Sequence, residues 1–241
     1  MSLNNSIRQL NRNHNKVKKW ILYFIFLFAS VYAQDNRLRL IRADVLENVT
    51  INGESIQYLK GNVEFKKGEM TMNCNWARFN KKTEKGFLFE NVSMVKDDQN
   101  LTCDSLFVDS PKNIMIAYSN THVWDTTYSL IADTLYYFSE LDSGSANGNA
   151  TLVQDKQIIK SNTIEYVELP ESDGVSYAAR GDVIITEEER IATCGEAIYD
   201  RENGKTVMKI NPKIIDNEQT IAGSEIYLSY NDDVLDRVFI P

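Results

Sequence analysis

Two imidazoles, His14 and His122, and three thiols, Cys74, Cys103 and Cys194, are the side chains in this 241-residue chain most suited to nucleophilic or metal chemistry. A triad needs a base held beside its nucleophile, and a zinc site needs three or four ligands at close spacing. His122 stands one residue before Val123 in an alternating stretch, with no paired Cys or Asp around it, and reads as a solvated strand histidine. The acidic runs Glu187-Glu188-Glu189 and Asp232-Asp233 lack the oxygen spacing of a calcium loop and read as solvated turns. No GxSxG, HExxH, phosphate-cradling or dinucleotide motif occurs. The expectation is a chain with no catalytic residue, no metal and no cofactor, hence not an enzyme. Asn48, Asn91, Asn100 and Asn149 each begin an N-x-S/T sequon.

The charge distribution removes a further class. Five of the 26 basic residues lie in the first 33 positions, leaving 21 against 34 acidic residues, a formal −13 on the rest. So acidic a body is a poor partner for a phosphate backbone, so no nucleic acid is expected.

The first 33 residues carry an address. Lys16-Val17-Lys18-Lys19 precedes ten apolar residues, Trp20 to Ala29, and Val31-Tyr32-Ala33 offers a small residue for cleavage. This is the build of a secretory signal peptide, residues 1–33, cleaved after Ala33. The competing reading is a retained anchor, but Trp20 to Ala33 is short of the ~20 residues of a spanning helix. The body, 34–241, is expected to be one exported domain. Its odd cysteine count argues against a disulfide scaffold.

That body repeats. A Gly-Asn-like pair recurs at Gly61-Asn62, Glu90-Asn91, Ser119-Asn120, Gly148-Asn149, Gly181-Asp182 and Ile210-Asn211, at spacings of 29, 29, 29, 33 and 29. A second marker begins with a small residue and follows 12 residues later each time: Cys74-Asn75, Cys103-Asp104, Ala132-Asp133, Ser161-Asn162, Cys194-Gly195 and Gly223-Ser224. Ala43-Asp44 occupies the same slot in an incomplete leading unit. The three cysteines therefore share a slot with Ala, Ser and Gly, and read as small inward residues rather than ligands. Asn91 and Asn149 fall on the first marker, where turn chemistry accounts for them without a glycan.

Within a unit the period is two, as in Leu59, Val63, Phe65 and Leu88, Val92, Met94. Apolar parity flips at each marker, so each long strand must hold a bulge or a sharp bend near its middle. Short polar turns alternate with longer ones, and the longest, Glu168 to Gly174, absorbs the 33-residue spacing. Tight turns imply hairpins. The fold class expected is all-β, antiparallel, with about 12 or more bent strands built from 29-residue repeats; the alternative is a parallel β-helix. The end strands, placed near Asp44 and Ile226, would offer unpaired backbone groups to another copy or a partner. The next Gly-Asn slot falls near position 240, so the last edge is expected to await a partner or to continue in a longer chain.

The sequence Leu59-Lys60-Gly61-Asn62-Val63-Glu64-Phe65, followed by Met70 to Ala77, resembles the LptA/OstA family of periplasmic lipopolysaccharide-transport proteins. Leu130 to Tyr136 and Ala178 to Ile185 are similar, and the resemblance covers roughly residues 38–230. It implies an antiparallel β-jelly roll folded into a V-shaped trough whose inner face holds acyl chains, stacked end to end through its edge strands. Glu90, Ser119 and Ile210 depart from the marker glycine and Pro212 follows the last Asn, so units two, three and six are expected to bend differently.

Two functions are expected to compete. One is a periplasmic carrier or bridge for lipopolysaccharide on its way to the outer membrane. Its trough would be lined by Val63, Phe65, Met72, Val92, Met94, Leu101, Leu106, Val108, Leu130, Leu135, Leu152, Ile164, Val183 and Ile185. Lys60, Lys66 or Lys67 would meet phosphates near the mouth, and other Lpt-type proteins or further copies would be its partners. The other is a non-enzymatic β-scaffold of the cell envelope, with the same residues packed on each other, acting through its edges.

Overall fold

The computed structural model describes residues 37–138, 141–168, 175–231 and 234–241. The proposed signal peptide, 1–33, lies outside the described residues. Seventeen strands follow in chain order: β1 (Arg39–Arg42), β2 (Val45–Ile51), β3 (Glu54–Lys67), β4 (Met70–Asn80), β5 (Lys85–Lys96), β6 (Gln99–Asp109), β7 (Ile114–Trp124), β8 (Tyr128–Phe138), β9 (Ser143–Gln154), β10 (Gln157–Glu168), β11 (Val175–Glu187), β12 (Arg190–Asp200), β13 (Lys205–Lys209), β14 (Lys213–Asp216), β15 (Gln219–Ala222), β16 (Glu225–Asn231) and β17 (Val234–Phe239). A short 3₁₀ turn, Ser110–Lys112, precedes β7. The fold is all-β and antiparallel, the jelly-roll class expected, and not a parallel β-helix.

Each marker is a corner. Both residues of all six pairs have positive φ, from Gly61 (73°) and Asn62 (47°) to Ile210 (63°) and Asn211 (55°). Two left-handed residues in succession turn the chain and break the ladder, and the pairing register shifts at that point in every strand pair from β3 through β12. Gly, Asn and Asp tolerate this conformation best. Units two, three and six were expected to bend differently for want of Gly; Glu90, Ser119 and Ile210 instead take the same positive φ. Asn side chains secure the corners: Asn62 donates to Asp44 Oδ2 at 2.8 Å, Asn120 to Asp104 Oδ2 at 2.8 Å and Asn149 to Asp133 Oδ2 at 2.9 Å.

The corners divide the stack into two arms. Arm one holds β2, the Leu59 and Phe79 halves of β3 and β4 and their successors, then β13, β16 and β17. Arm two holds β1, the Phe65 and Met72 halves and their successors, then β14 and β15. Pairing runs unbroken from β1 and β2 on β3, through consecutive hairpins to β12, and on to β13–β16–β17 and β14–β15. In unit six the long strand is split into β13 and β14, with Asn211 and Pro212 between them.

The leading edge is β1–β2, around Asp44, as expected. The trailing edge is not at Ile226: β16 pairs with β13 on one side and β17 on the other, and Ile226 is fully buried. A further strand after the last marker closes arm one, so β17 and β15 are the trailing edges.

Candidate functional site

The candidate site is the inner face. In arm one, strand registers place Leu59, Ala77, Leu88, Leu106, Ala117, Leu135, Ala146, Ile164, Ala179, Ala197, Met208 and Ile226 opposite one another in sequence, all at most 1% exposed. Large and small residues alternate along much of this rung, which lets facing side chains interdigitate. Arm two answers with Phe65, Met72, Met94, Leu101, Val123, Leu130, Leu152 and Ile159, all at most 2% exposed. The arms touch: the Phe65 ring of arm two meets the Phe79 ring of arm one edge-on, centroids 5.3 Å apart.

All fourteen residues expected to line a trough lie on this inner face and are buried. Sequence reading omitted others of equal standing, among them Leu59, Leu88, Ile159 and Met208, although the period-two pattern could have found them. Cys74, Cys103 and Cys194 are inward, unpaired and free. Burial pushes their thiols up, to about 11, about 12 and about 11 respectively, so they are poor nucleophiles and poor metal ligands. His122 faces outward, stacked on Trp124 and 2.8 Å from Ser129 Oγ, its pKa lowered by partial burial. Among the described residues no group of His, Cys, Asp and Glu could hold a metal ion.

The mouth between the arm tips is closed by polar side chains, of which sequence reading placed only Lys67 there. Lys67, at the arm-two tip of β3, donates to Asn113 Oδ1 and to the Ser110 carbonyl (3.3 Å) in the arm-one turn after β6. One repeat on, Lys96 pairs with Asp142 at 2.8 Å. Further along, Gln154 exchanges hydrogen bonds with the Val175 backbone (2.8 and 3.3 Å), Arg201 meets Asp155 at 2.5 Å, and Gln157 donates to Tyr230 Oη at 3.4 Å. Each arm-two tip thus reaches an arm-one element two to four strands further along. Of the three lysines expected at the mouth, Lys67 is there; Lys60 and Lys66 follow the outward parity.

A cluster of hydroxyl, amide and carboxyl groups surrounds Glu168. Its Oε1 accepts from Gln99 Nε2 at 2.6 Å and Tyr128 Oη at 2.7 Å, while Tyr137 Oη donates to Asp142 at 3.1 Å. Tyr166 Oη is buried beside them with no hydrogen-bond partner among the described residues. Burial raises the Glu168 carboxyl pKa, against the lowering effect of its two donors, and raises the three tyrosines further still.

Among the described residues the closure stops at the trailing end. A cleft of about 750 Å³ opens there, lined by the arm-two tips Glu187–Arg190 and Asp216-Asn217 and by Tyr199, Tyr230 and Leu235 of arm one.

Residues 35–99 and 82–224 match the family model described as OstA-like protein. Among solved structures, the chain is similar to LptH of Pseudomonas aeruginosa, titled the LptA-homologous periplasmic component of the conserved lipopolysaccharide transport device. The identity is 13%, the match covers 57% of this chain and 80% of that one, and the TM-score is 0.26. No curated protein matches the chain. On the strength of the family model, which spans both arms and all six corners, the chain belongs to the OstA-like family.

Proposed function

We propose that this protein is a non-enzymatic lipid carrier in the periplasm, holding lipopolysaccharide acyl chains between its arms on the way to the outer membrane. The observation that carries the reading is the unbroken apolar rung running the length of arm one, faced by a second in arm two. Burying an acyl chain gains ~0.8 kcal/mol per CH₂. A chain that enters between the arms replaces one apolar contact by another, so the main cost of opening is the polar closure at the mouth. The formal −13 on residues 34–241 works against lipid phosphates, so tails dominate affinity. Family membership supports other Lpt-type proteins or further copies as partners, meeting the free edges β1–β2 and β17.

A second reading is favoured by one observation: every one of the fourteen trough residues is already buried. A scaffold that never opens would look the same. The test is a photoreactive benzoylphenylalanine placed at Leu106 or Leu130, and at outward Ile131 as control, in protein mixed with lipopolysaccharide. The carrier gives crosslinks at the two inner positions only, and Phe65→Asp reduces them. Absence of inner crosslinks in a folded protein leaves the scaffold.

A further inference from the structure

The outer face of arm one changes character halfway along the stack. Over β3 to β7 it carries Trp76, Phe87, Phe89, Phe107 and Tyr118, with the Trp76 and Phe89 rings stacked at 4.0 Å and Phe87 and Phe107 tilted at 4.8 Å. The repeat supplies an internal control. At the slots of Phe87 and Phe89 the fourth unit has Ser145 and Asn147; at those of Trp76 and Phe107 it has Thr163 and Glu165. On that later half Arg180 bridges Glu165 (2.7 Å) and Glu196 (2.8 Å). The same fold is therefore built without the aromatics, and folding does not explain them.

The charges around the aromatic face are also unspent. Lys60 pairs in register with Trp76, the Arg78 guanidinium lies 5.3 Å over the Phe87 ring, and Lys81 and Lys82 follow in the next turn. None of these four has an ion-pair partner among the described residues, in contrast to Arg180, Arg190 and Arg201 of the later half. The acidic neighbours are Glu90, which accepts from Trp76 Nε1 at 3.3 Å, Glu54, which lines one cleft with Arg78, Phe87 and Phe107 and accepts from Asn80 Nδ2 at 3.0 Å, Glu47, which pairs in register with Tyr58, and Glu84 in the turn of Lys81 and Lys82.

We infer that this outer face of β3 to β7 docks on an anionic lipid surface. Aromatic rings with mixed apolar and polar character settle at the lipid headgroup level, and unpaired Lys and Arg beside them are drawn to anionic headgroups. Five strands span about 20 Å, a breadth that suits an extended surface rather than a small ligand. The face is opposite the trough, so its use is independent of acyl-chain capture and goes beyond the function proposed above.

Cosedimentation tests it, with vesicles of phosphatidylcholine alone and of phosphatidylcholine mixed with phosphatidylglycerol. The protein should bind the mixed vesicles, less at high salt, and the Trp76→Thr, Phe87→Ser, Phe89→Asn variant should bind about tenfold more weakly. Those replacements already occupy equivalent slots, and thermal unfolding checks that they are tolerated. Lys60→Gln with Arg78→Gln should abolish the preference for phosphatidylglycerol, whereas Val207→Ser, on the later half of the same face, should change nothing. Should the triple variant misfold, Phe87→Ser alone and the charge variant still decide. Equal binding by folded variants and wild type overturns the inference, as does failure of the wild type to bind either vesicle; an aromatic face found instead in a protein complex also overturns it.

Discussion

Ile210 stands directly over Gly195. A Cβ added to Gly195 would lie 2.7 Å from the Cβ of Ile210, and the Gly195 N–H donates to the Ile210 carbonyl at 2.9 Å. Elsewhere the roles are reversed: Asp44 packs over Gly61, Asp133 over Gly148 and Asn162 over Gly181. A β-branched residue with a φ of 63° is an outlier held by its surroundings. Gly195→Asp should therefore destabilise by about 1–3 kcal/mol through crowding, and Ile210→Gly alone should relieve about 1 kcal/mol of left-handed cost. Together they rebuild the Asp-over-Gly corner, so the double variant should be more stable than the sum of the single effects, as a urea-unfolding cycle will read.

The inner rung gives a simpler expectation. Leu106→Ala should cost about 2–5 kcal/mol, because a fully buried site cannot collapse around the lost methyl groups. Ile131→Ala, on the outward parity of arm two and 48% exposed, should stay within about 0.5 kcal/mol. Chemical denaturation of both variants measures the contrast.

Glu168 makes stability depend on pH. Burial raises its carboxyl pKa in the folded protein above the unfolded value, so the native state holds the proton more tightly. Its contribution is fully present below the ordinary carboxylate range and is lost as pH rises through the raised folded value. Glu168→Gln keeps an oxygen for Tyr128 and Gln99 and removes the titration. Melting temperatures across the acid-to-neutral range should fall with rising pH less in the variant than in the wild type, and parallel curves would disprove the assignment.

The revised trailing edge is testable by proline, which removes a donor and fixes φ. In β17, Val238→Pro disturbs a strand paired on one side, and should weaken edge association while leaving the interior folded. In β16, Tyr227→Pro strikes a strand paired on both sides and should loosen β13, β16 and β17 together. Sedimentation over a concentration series, with hydrogen exchange on β13, separates the two.

Much of this architecture was legible because it is local. Strand alternation, the corner at Asn62 and its successors, and the inward Cys74 slot each rest on residues within a few positions of one another. Glu90, Ser119 and Ile210 misled because conformational preference at one residue was outweighed by the ladders on either side of the corner. Of the closed mouth only the place of Lys67 was legible, not what it meets. Lys67 and Asn113 are 46 residues apart, and nothing in either neighbourhood announces the other. The displaced trailing edge escaped for a related reason: β17 follows the last complete marker pair, and no second marker flagged it.

The forward offset of the arm-tip contacts has a mechanical consequence. Lys67 to Asn113 and Lys96 to Asp142 span the same 46 residues, one repeat apart. Because every contact reaches forward, adjacent contacts overlap along the stack, and parting one unit loads those beside it. At the trailing end no such forward contact runs from the tips at Glu188 and Asn217 among the described residues, and the cleft beside Tyr230 lies there. Arms parted by a ligand would therefore open directionally, first at the trailing end, where the described residues supply the least restraint, and then toward β3 one tooth at a time, as a zip opens from its slider.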